Sequence, residues 1–389
     1  MNILFLTSSQ LSPIKGGTER ITLRLICGLK HKNHVCYSGF STKLSDNSSS
    51  TNICDGEIDI SKESLVDFII NHKIRVIIVQ KITLYVAFLR KQLEKKHYKC
   101  RIISVLHFEV GVEEKIFNIH YCLYNLKNSY SLIDKIKSLL MLIIYPIYKI
   151  LYPFKIVHLY KRVYEISDDV VVFSSNVIDE YQRYACLQDK TKFFVIPNAL
   201  SYNDYYPAAD LDSKNKYILV VSRMCENPKR VSMAIKIWNE IEKDNRFHDW
   251  RIKVVGDGPD LVLYRRMAKQ MGLKRIDFCG MQSPKQFYIQ SRVLLQTSSS
   301  EGWGLCLTEA QQFGCVPIAF NTSSSLSEII KANENGISIT EGDVKGYINA
   351  LRKLMLNEKL WRKMAIDSIL TSKKFDLDTI ILNWEKLIL

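Results

Sequence analysis

The residue types and spacing most able to do chemistry lie around a glycine-rich turn in the last third of the chain. Glu301 is followed by Gly302-Trp303-Gly304, and seven residues separate it from Glu309. An apolar run precedes the turn and a helical pattern follows it, which predicts a strand, a loop and a helix. Because glycine leaves backbone N–H groups accessible and a helix N-terminus attracts anions, we expect the loop to bind phosphate or polar sugar oxygens.

The spacing of the two glutamates has two interpretations. In a helix that begins after the turn, Glu309 lies about two turns in, so the two carboxylates would stand at two depths of one cleft. Any helical surface can carry such a pair, because Glu is a common residue there. The spacing alone leaves both interpretations open, and the rest of the chain has to decide between them.

Composition limits the class of protein. The chain has 389 residues, 47% of them hydrophobic, and this is long enough for two ordinary globular domains. A formal net charge of +14 at pH 7 indicates an anionic partner such as nucleic acid, an acidic membrane surface or a phosphorylated substrate. The ten cysteines include no Cys-x-x-Cys pair, so we expect a reduced compartment, with neither a disulfide scaffold nor a zinc site. The first residues read as a strand, not as a signal peptide, which favours the cytoplasm.

The elements that position the first half of the chain alternate between apolar runs and helical patterns. A short strand leads into Gly16 and Gly17 and then into a helix, an arrangement that either binds phosphate or sugar at the helix start or only permits a tight turn. The alternation predicts a parallel sheet with helices on both faces. His107 stands at the carboxyl end of one predicted strand. A single His there is either a structural residue or a ligand-binding one.

A polar stretch from Ser201 to Lys216 interrupts the alternation, which then starts again. It predicts a domain boundary and a second doubly wound domain that carries the glutamate stretch. Two such domains would leave a deep cleft between them, which is the default ligand site.

Residues 116–162 differ from the rest, because Lys, Tyr, Leu and Ile are interleaved there. The longest uncharged run, Ser138 to Tyr148, is shorter than the roughly 20 residues of a spanning helix, so we expect no crossing of a membrane. Basic and aromatic residues in this pattern favour peripheral contact with an anionic membrane. The other interpretation is a hydrophobic helix pair packed on the domain's own sheet.

Several motifs, in order along nearly the whole chain, resemble the retaining glycosyltransferases of family 4, which have the GT-B fold. These motifs are Pro13-x-x-Gly16-Gly17, Ile196-Pro197-Asn198, Val221-Ser222-Arg223, Lys229-Arg230, Val255-Gly256-Asp257-Gly258-Pro259, Phe278-x-Gly280 and the glutamate stretch to Gly314. The resemblance implies an α/β protein with two Rossmann-like domains, residues 1–205 for the acceptor and 206–372 for the nucleotide sugar. Residues 373–389 would form a helix that returns to the first domain. Ser222, Trp303 and Cys306 depart from the usual residues, which puts the choice of sugar in doubt more than the chemistry.

The resemblance also assigns roles in the second domain. Arg223 and Lys229 would hold the donor diphosphate, a role that two fixed cations suit because negative charge builds on the leaving group. Glu301 would meet hydroxyls of the donor sugar, and the backbone of Gly302 to Gly304 would lie beneath sugar and phosphate. Glu309 would accept hydrogen bonds from the ribose, and the main chain near Met281 would contact the nucleobase.

In the first domain the resemblance assigns Gly16 and Gly17 to the floor of the phosphate and acceptor site. His107 would lie near the reacting sugar and form hydrogen bonds to it. The implied catalytic set is therefore Glu301, His107, Arg223 and Lys229.

No metal or other cofactor is expected beside the nucleotide diphosphate sugar, which is itself a substrate. Two Asp-x-Asp sequences, Asp210-Leu-Asp212 and Asp376-Leu-Asp378, fit the letters of a metal-binding motif. Neither follows a predicted strand, and the second reads as the cap of the last helix, so we interpret both as structural.

Together these observations predict a cytoplasmic enzyme, peripheral to the inner face of the cell membrane, that transfers a hexose to a saccharide acceptor with retention of configuration. The basic aromatic segment favours a lipid-linked acceptor and a role in the synthesis of cell-surface polysaccharide or lipopolysaccharide. One alternative is a sugar-nucleotide 2-epimerase of the same fold, which the Glu301 to Glu309 stretch disfavours. Another is a non-catalytic basic binding protein, but no nucleic-acid motif supports a nucleic-acid partner.

Overall fold

The structure is a computed structural model that describes residues 1–12, 16–41, 53–112, 119–128 and 131–389. Pro13 and residues 116–118 and 129–130 of the basic aromatic segment lie outside the described residues. The chain forms two compact units, one of Met1–Ala199 with Leu377–Leu389 and one of Leu200–Asp376. The boundaries expected at 205 and 373 therefore stand a few residues away from those of the compact units.

The first unit contains a seven-stranded parallel sheet in the order β3-β2-β1-β4-β5-β6-β7. Its strands are β1 (Asn2–Thr7), β2 (Val35–Phe40), β3 (Gly56–Asp59), β4 (Val76–Val79), β5 (Arg101–Val105), β6 (Asp169–Val172) and β7 (Phe193–Val195). Its helices are α1 (Gly17–His31), α2 (Leu65–Asn71), α3 (Tyr85–Lys95), α4 (Ile119–Asn128), α5 (Leu132–Ile166), α6 (Ser175–Ala185) and, from the end of the chain, α15 (Leu377–Ile388).

The second unit contains a six-stranded parallel sheet in the order β10-β9-β8-β11-β12-β13. Its strands are β8 (Tyr217–Val221), β9 (Arg251–Val255), β10 (Ile276–Gly280), β11 (Val293–Gln296), β12 (Val316–Phe320) and β13 (Ile337–Ile339). Its helices are α7 (Glu226–Lys229), α8 (Val231–Glu242), α9 (Leu261–Gln270), α10 (Lys285–Gln290), α11 (Leu305–Gln312), α12 (Leu326–Ile329), α13 (Val344–Leu356) and α14 (Glu358–Ser372), with three short 3₁₀ turns at 208–213, 245–247 and 373–375.

Both sheets reverse their strand order at one place, between β1 and β4 in the first unit and between β8 and β11 in the second. Strands such as β4 and β12 are buried along their whole length, which explains their continuous apolar sequences. The prediction of two doubly wound parallel sheets is confirmed. Ligands of such sheets bind beyond the carboxyl ends of the strands at the reversal point, so the loops that follow these four strands are candidate ligand-binding loops.

The last helix, α15, belongs to the first unit and packs on α1. A Cβ atom added to Gly28 of α1 would lie 2.4 Å from the Cδ1 and Cγ1 atoms of Ile381. His34 Nε2 lies 3.5 Å from Glu385 Oε1, and the Arg101 guanidinium donates to the Leu387 carbonyl. The close approach at Gly28 is what lets the returning helix lie against the first unit.

The basic aromatic segment corrects the sequence analysis in one respect. Its central part belongs to the single 35-residue helix α5, which continues through Pro146, Lys149 and Pro153. By length and composition α5 is apolar enough to cross a membrane, with a window of mean hydropathy 1.5 of which 6% is buried. The prediction that the segment is too short for a spanning helix was wrong about the length of the helix. Lys149 ends the uncharged run, but the helix continues beyond it.

Candidate functional site

The candidate site of the second unit lies at the reversal point of its sheet. β8 and β11 are adjacent, with Val293 opposite Ile218, and Arg223 follows the first strand while Glu301 follows the second. Because the strands are parallel, both loops leave the same edge of the sheet. The structure thus brings together the two sequence motifs that carry the predicted cation and carboxylate.

The loop that carries Arg223 is held by a second, glycine-containing loop. Ser222 N donates to the Val255 carbonyl at 3.1 Å and Met224 N donates to the Asp257 carbonyl at 2.9 Å. A Cβ atom at Gly256 would lie 1.9 Å from Ser222 O, and one at Gly258 would lie 2.5 Å from Met224 O. Only glycine permits this approach, so the Gly-Asp-Gly-Pro motif fixes the backbone on both sides of the exposed Arg223.

The segment that carries Lys229 is tied to the loop after β11 by several hydrogen bonds. Arg230 donates from Nε to the Thr297 carbonyl and from Nη2 to the Ser298 carbonyl, each at 2.9 Å. Ser299 donates to the Pro228 carbonyl from its backbone N at 2.8 Å and from its Oγ at 3.1 Å. These bonds fix the distance between Lys229 and Glu301, which lie close to the bonded residues in their respective segments.

Lys229 and Glu301 form a direct ion pair. Lys229 Nζ donates to Glu301 Oε1 at 2.6 Å, and Ser298 Oγ donates to the same oxygen at 2.7 Å. The side chains of Lys229 and Glu301 are 26% and 14% exposed, so water screens the pair only in part. Burial alone would lower the pKa of Lys229, but the Glu301 carboxylate outweighs it, and the pKa is raised above its ordinary value.

The Gly-Trp-Gly turn has one position that requires glycine. Gly304 has φ of 83°, the left-handed region, and it caps the start of α11. A Cβ atom there would lie 3.1 Å from both Gln296 Nε2 and Leu307 Cδ1. Gly302 is half-buried, and Trp303 is buried with its ring edge-to-face on Phe375 at 5.1 Å. The predicted strand, loop and helix are confirmed here, and α11 begins at Leu305.

Glu309 is almost completely buried in α11, with 1% of its surface exposed. Tyr288 OH donates to its Oε2 at 2.8 Å, and Ser201 Oγ donates to its Oε1 at 2.5 Å. Its depth relative to the loop agrees with the two-depth interpretation, not with an exposed helical pair. The sequence analysis missed Tyr288 and Ser201, whose side chains meet Glu309 only after the fold forms.

The remaining predicted residue of the second unit is Met281, which follows β10 and whose side chain is 65% exposed. Gly280, immediately before it, has φ of 71° and turns the chain out of the strand. Met281 is therefore exposed at the carboxyl edge of the sheet, where a planar ligand group could contact it.

The first unit holds Gly16, Gly17 and His107. Gly16 caps α1 without a side chain, and its carbonyl accepts from Arg20 N. α1 is the helix that follows β1, one of the two strands at the reversal point. His107 follows β5, and its Nε2 is hydrogen-bonded to Oε1 of Gln80, which follows β4. Burial lowers the pKa of His107 to about 4, so the ring is neutral at pH 7. Sequence reasoning missed Gln80, although its position directly after a buried strand was a usable signal.

The two Asp-x-Asp sequences are engaged in structural contacts. Asp212 accepts from the Arg362 guanidinium, and Asp376 accepts from Tyr205 OH. Within the described residues, no three His, Cys, Asp or Glu side chains form a group that could hold a metal ion.

The second unit thus presents the cations Arg223 and Lys229, a carboxylate at Glu301 and a deeper carboxylate at Glu309. Cations at a loop and a helix start suit phosphate oxygens, whereas carboxylates suit hydroxyl groups. The arrangement fits a ligand that carries both kinds of group.

Residues 204–368, which include all these side chains, match the family model of the glycosyl transferases group 1. The chain is 27% identical over 201 residues to an uncharacterized glycosyltransferase of Haemophilus influenzae, which covers 51% of this chain and 56% of that protein. It is 27% identical over 171 residues to a lipopolysaccharide 1,6-galactosyltransferase of Escherichia coli, 42% of this chain and 46% of that protein. It is also 25% identical over 227 residues to the GalNAc-alpha-(1->4)-GalNAc-alpha-(1->3)-diNAcBac-PP-undecaprenol alpha-1,4-N-acetyl-D-galactosaminyltransferase of Campylobacter jejuni. That match covers 58% of this chain and 61% of that protein. The matches span about half the length of these curated relatives.

Solved structures resemble the whole chain. The pneumococcal O-GlcNAc transferase GtfA in complex with UDP and GlcNAc has a TM-score of 0.75 at 13% identity, covering 100% of this chain and 98% of that one. The Anabaena protein HepE in complex with UDP-glucose has a TM-score of 0.70 at 16% identity, covering 100% and 99%. The chain has the GT-B fold, as the resemblance predicted, and the family match of residues 204–368 supports a glycosyltransferase.

Proposed function

We propose that this protein is a glycosyltransferase that moves a hexose from a nucleotide diphosphate sugar to a saccharide acceptor in cell-surface polysaccharide or lipopolysaccharide synthesis. The observation that carries the proposal is the Lys229–Glu301 pair, held at the reversal point of the sheet, where Arg223 also follows β8. Its similarity to lipopolysaccharide and polysaccharide glycosyltransferases, and to GT-B structures in complex with UDP and UDP-glucose, supports the proposal.

Each residue has a role that follows from its chemistry. Arg223 and Lys229 neutralise the diphosphate as it leaves, and they stabilise the transition state because the charge on that group increases there. Glu301 accepts hydrogen bonds from hydroxyls of the donor sugar. Glu309, held by Tyr288 and Ser201, accepts hydrogen bonds from the ribose hydroxyls.

The transfer retains the configuration of the anomeric carbon. The acceptor oxygen bonds to that carbon on the face from which the diphosphate leaves, and its proton passes to a diphosphate oxygen. No covalent intermediate with the protein is required, so neither Glu301 nor any other side chain acts as a nucleophile. Gly16, Gly17 and His107 contribute hydrogen bonds to donor and acceptor from the first unit.

The reaction needs no metal ion in this proposal, because Arg223 and Lys229 supply the positive charge. The engagement of Asp212 by Arg362 and of Asp376 by Tyr205 supports this assignment, since neither Asp-x-Asp sequence offers two unengaged carboxylates.

The acceptor is lipid-linked and the enzyme is peripheral to the cytoplasmic face of the membrane. The first two thirds of α5 support this, because apolar side chains such as Ile143, Ile147 and Phe154 are 65%, 61% and 74% exposed. The last third of the same helix packs Tyr160 and Val163 into the core of the first unit, which anchors it to the protein. Lys135, Lys137, Lys149 and Lys155 along the exposed part suit anionic head groups, so the partner is an anionic bilayer.

The test of the enzymatic proposal uses the full chain. A panel of nucleotide diphosphate sugars is screened by thermal shift, because a ligand at about 100 times its dissociation constant stabilises the folded state by about 2.7 kcal/mol. The stabilising donor is then incubated with lipid-linked saccharides, with and without EDTA, and the anomer of the product is read by NMR. We expect transfer with retention in the presence of EDTA. Inversion contradicts the mechanism, loss of transfer in EDTA contradicts metal independence, and an altered donor released without any acceptor identifies an epimerase.

A further inference from the structure

Gln80 and His107 meet at the carboxyl edge of the first sheet. They follow the neighbouring parallel strands β4 and β5, in which Val79 is opposite Ser104. Gln80 is 4% exposed, and its backbone N donates to the Leu6 carbonyl at 2.9 Å, so the residue is fixed from β1 as well. Its side-chain oxygen reaches Nε2 of the imidazole.

The surroundings of the pair favour an uncharged ring. Gln80 and His107 line a cavity of about 20 Å³, together with apolar residues that include Phe173 and, from α15, Ile380 and Trp384. The Phe173 ring lies edge-to-face against the imidazole at 5.3 Å between centroids. A cavity of this size holds about one water molecule, so it solvates an imidazolium poorly.

A neutral imidazole carries one proton, and an amide oxygen can only accept a hydrogen bond. With Gln80 Oε1 against Nε2, the proton lies on Nε2 and the other nitrogen, Nδ1, is left as an acceptor.

We propose that Gln80 is a positioning residue that fixes His107 in the tautomer with the proton on Nε2, so that Nδ1 accepts a hydrogen bond from a hydroxyl of the sugar substrate. This inference rests on the proposed function, in which His107 lies near the reacting sugar. It goes beyond that function by stating which nitrogen faces the substrate and in which direction the hydrogen bond runs.

The direction of that bond distinguishes substrates. An acceptor nitrogen binds a sugar hydroxyl as donor, whereas a sugar position that carries only an ether or carbonyl oxygen leaves the bond unmade. We therefore expect the enzyme to discriminate against a donor sugar whose hydroxyl at the contacted position is replaced by fluorine, because fluorine donates no proton.

The tautomer is measured directly in the full-length protein labelled with ¹⁵N-histidine, by two-bond ¹H–¹⁵N correlation, with the signals of His107 identified by their loss in His107→Phe. We expect the proton on Nε2 in the wild-type protein. Gln80→Met has nearly the same shape but no acceptor oxygen, and it should give a mixture of tautomers. Gln80→Glu keeps an acceptor and should keep the proton on Nε2. Val105 also lines the cavity, so Val105→Ala is the matched control. It should leave the tautomer unchanged and shift the ring signals less than Gln80→Met does.

Transfer is measured on the same variants. Gln80→Met should lower kcat/KM by about tenfold, the order expected for one misdirected hydrogen bond, and Gln80→Glu should recover part of that loss. A proton on Nδ1 in the wild-type protein, or an unchanged tautomer in Gln80→Met, overturns the proposal. A changed tautomer with unchanged kcat/KM overturns the role in transfer. If no nucleotide sugar is used at all, the proposed function fails, while the NMR experiment still decides whether Gln80 sets the tautomer.

Discussion

Lys229 Nζ and Glu301 Oε1 are 2.6 Å apart although 72 positions separate the two residues in the chain. In the proposed function Lys229 contacts the diphosphate and Glu301 contacts a hydroxyl of the sugar. The ammonium group has two further N–H donors and the carboxylate has a second oxygen, so both groups can bind the donor while the pair stays intact. The pair therefore fixes these two contacts next to each other.

Replacement of Glu301 by Ala should lower the rate of transfer by a factor of roughly 10² or more while the donor still binds, because the carboxylate acts on the sugar and the cations act on the diphosphate. The rate is measured with the donor identified by thermal shift, and donor affinity is measured by calorimetry. Glu341→Ala is the matched control, since Glu341 also pairs with a cation of this region, Arg230, but is 50% exposed. Full transfer by the Glu301 variant would contradict its role.

Replacement of Lys229 by Ala should weaken donor binding by about 10-fold to 100-fold, the size expected for a lost hydrogen bond between charged groups. The raised pKa of Lys229 keeps the cation present at every pH below its ordinary value of 10.5, so its contribution should not decline between neutral pH and that limit. Calorimetric titration of the donor at several pH values measures both effects. Lys216→Ala, which removes an exposed ion pair with Asp249, should leave affinity unchanged. Equal affinity in the two variants would remove Lys229 from the donor site.

Four buried or half-buried thiols should make the folded protein less stable in alkali. Burial raises the pKa of Cys36, Cys54, Cys306 and Cys315 to about 12, from an ordinary value of 9.0. Above pH 9.0 these thiols ionise in the unfolded chain but stay protonated in the folded one. The unfolded state then binds fewer protons, so the free energy of unfolding falls as pH rises through this range.

Urea unfolding at pH 7 and pH 10 measures the alkaline effect, and Cys315→Ala should reduce the difference between the two. Alkylation followed by mass spectrometry gives an independent check within one molecule. The exposed Cys186 should react in the native protein, and the buried Cys315 should react only after unfolding. Rapid native labelling of Cys315 would contradict its burial.

Binding to vesicles should depend on both the basic and the apolar side chains that are exposed on α5. Neutralising Lys135, Lys137 and Lys149 should weaken binding to anionic vesicles and reduce its dependence on salt. Ile143→Asp with Ile147→Asp should weaken binding to every vesicle, because it places charges among exposed apolar groups. Val262→Asp, at a 63% exposed position in the second unit, is the control and should have little effect.

Sedimentation with vesicles measures this binding, and sedimentation velocity without lipid measures self-association. Equal binding of the wild-type protein to neutral and anionic vesicles would contradict the electrostatic part. A concentration-dependent dimer abolished by the two Asp substitutions, with no vesicle binding, would show that a second copy covers α5.

Gly28→Ala should destabilise the first unit by about 1–3 kcal/mol, the usual range for overpacking. The added Cβ would lie 2.4 Å from two atoms of Ile381, which is buried. Urea unfolding measures the loss, and Ile381→Val in the same chain should restore part of it by removing the Cδ1 atom that meets the new methyl group. If the effects of the two substitutions on the free energy of unfolding were fully additive in the double variant, the two residues would not be in contact.

The sequence by itself determined the alternation of strands and helices, because hydrophobic periodicity and turn residues are local properties of the chain. It also placed Arg223, Glu301 and His107 after strands, and a parallel sheet brings the ends of its strands to one edge. It predicted that Gly302 and Gly304 leave backbone N–H groups accessible in the turn. The left-handed backbone at Gly304 and the close approach at Gly256 and Gly258 are seen only in the structure.

Only the tertiary structure decided which side chains meet. Tyr288 of α10 and Ser201 of the segment after β7 meet Glu309, and Gln80 after β4 meets His107 after β5. These side chains are brought together by the packing of separate elements, which no local sequence pattern describes. The length of α5 was misjudged for a related reason. One Lys and two Pro residues interrupt the composition of the segment, but the helix continues through them, and its last third packs in the core of the first unit.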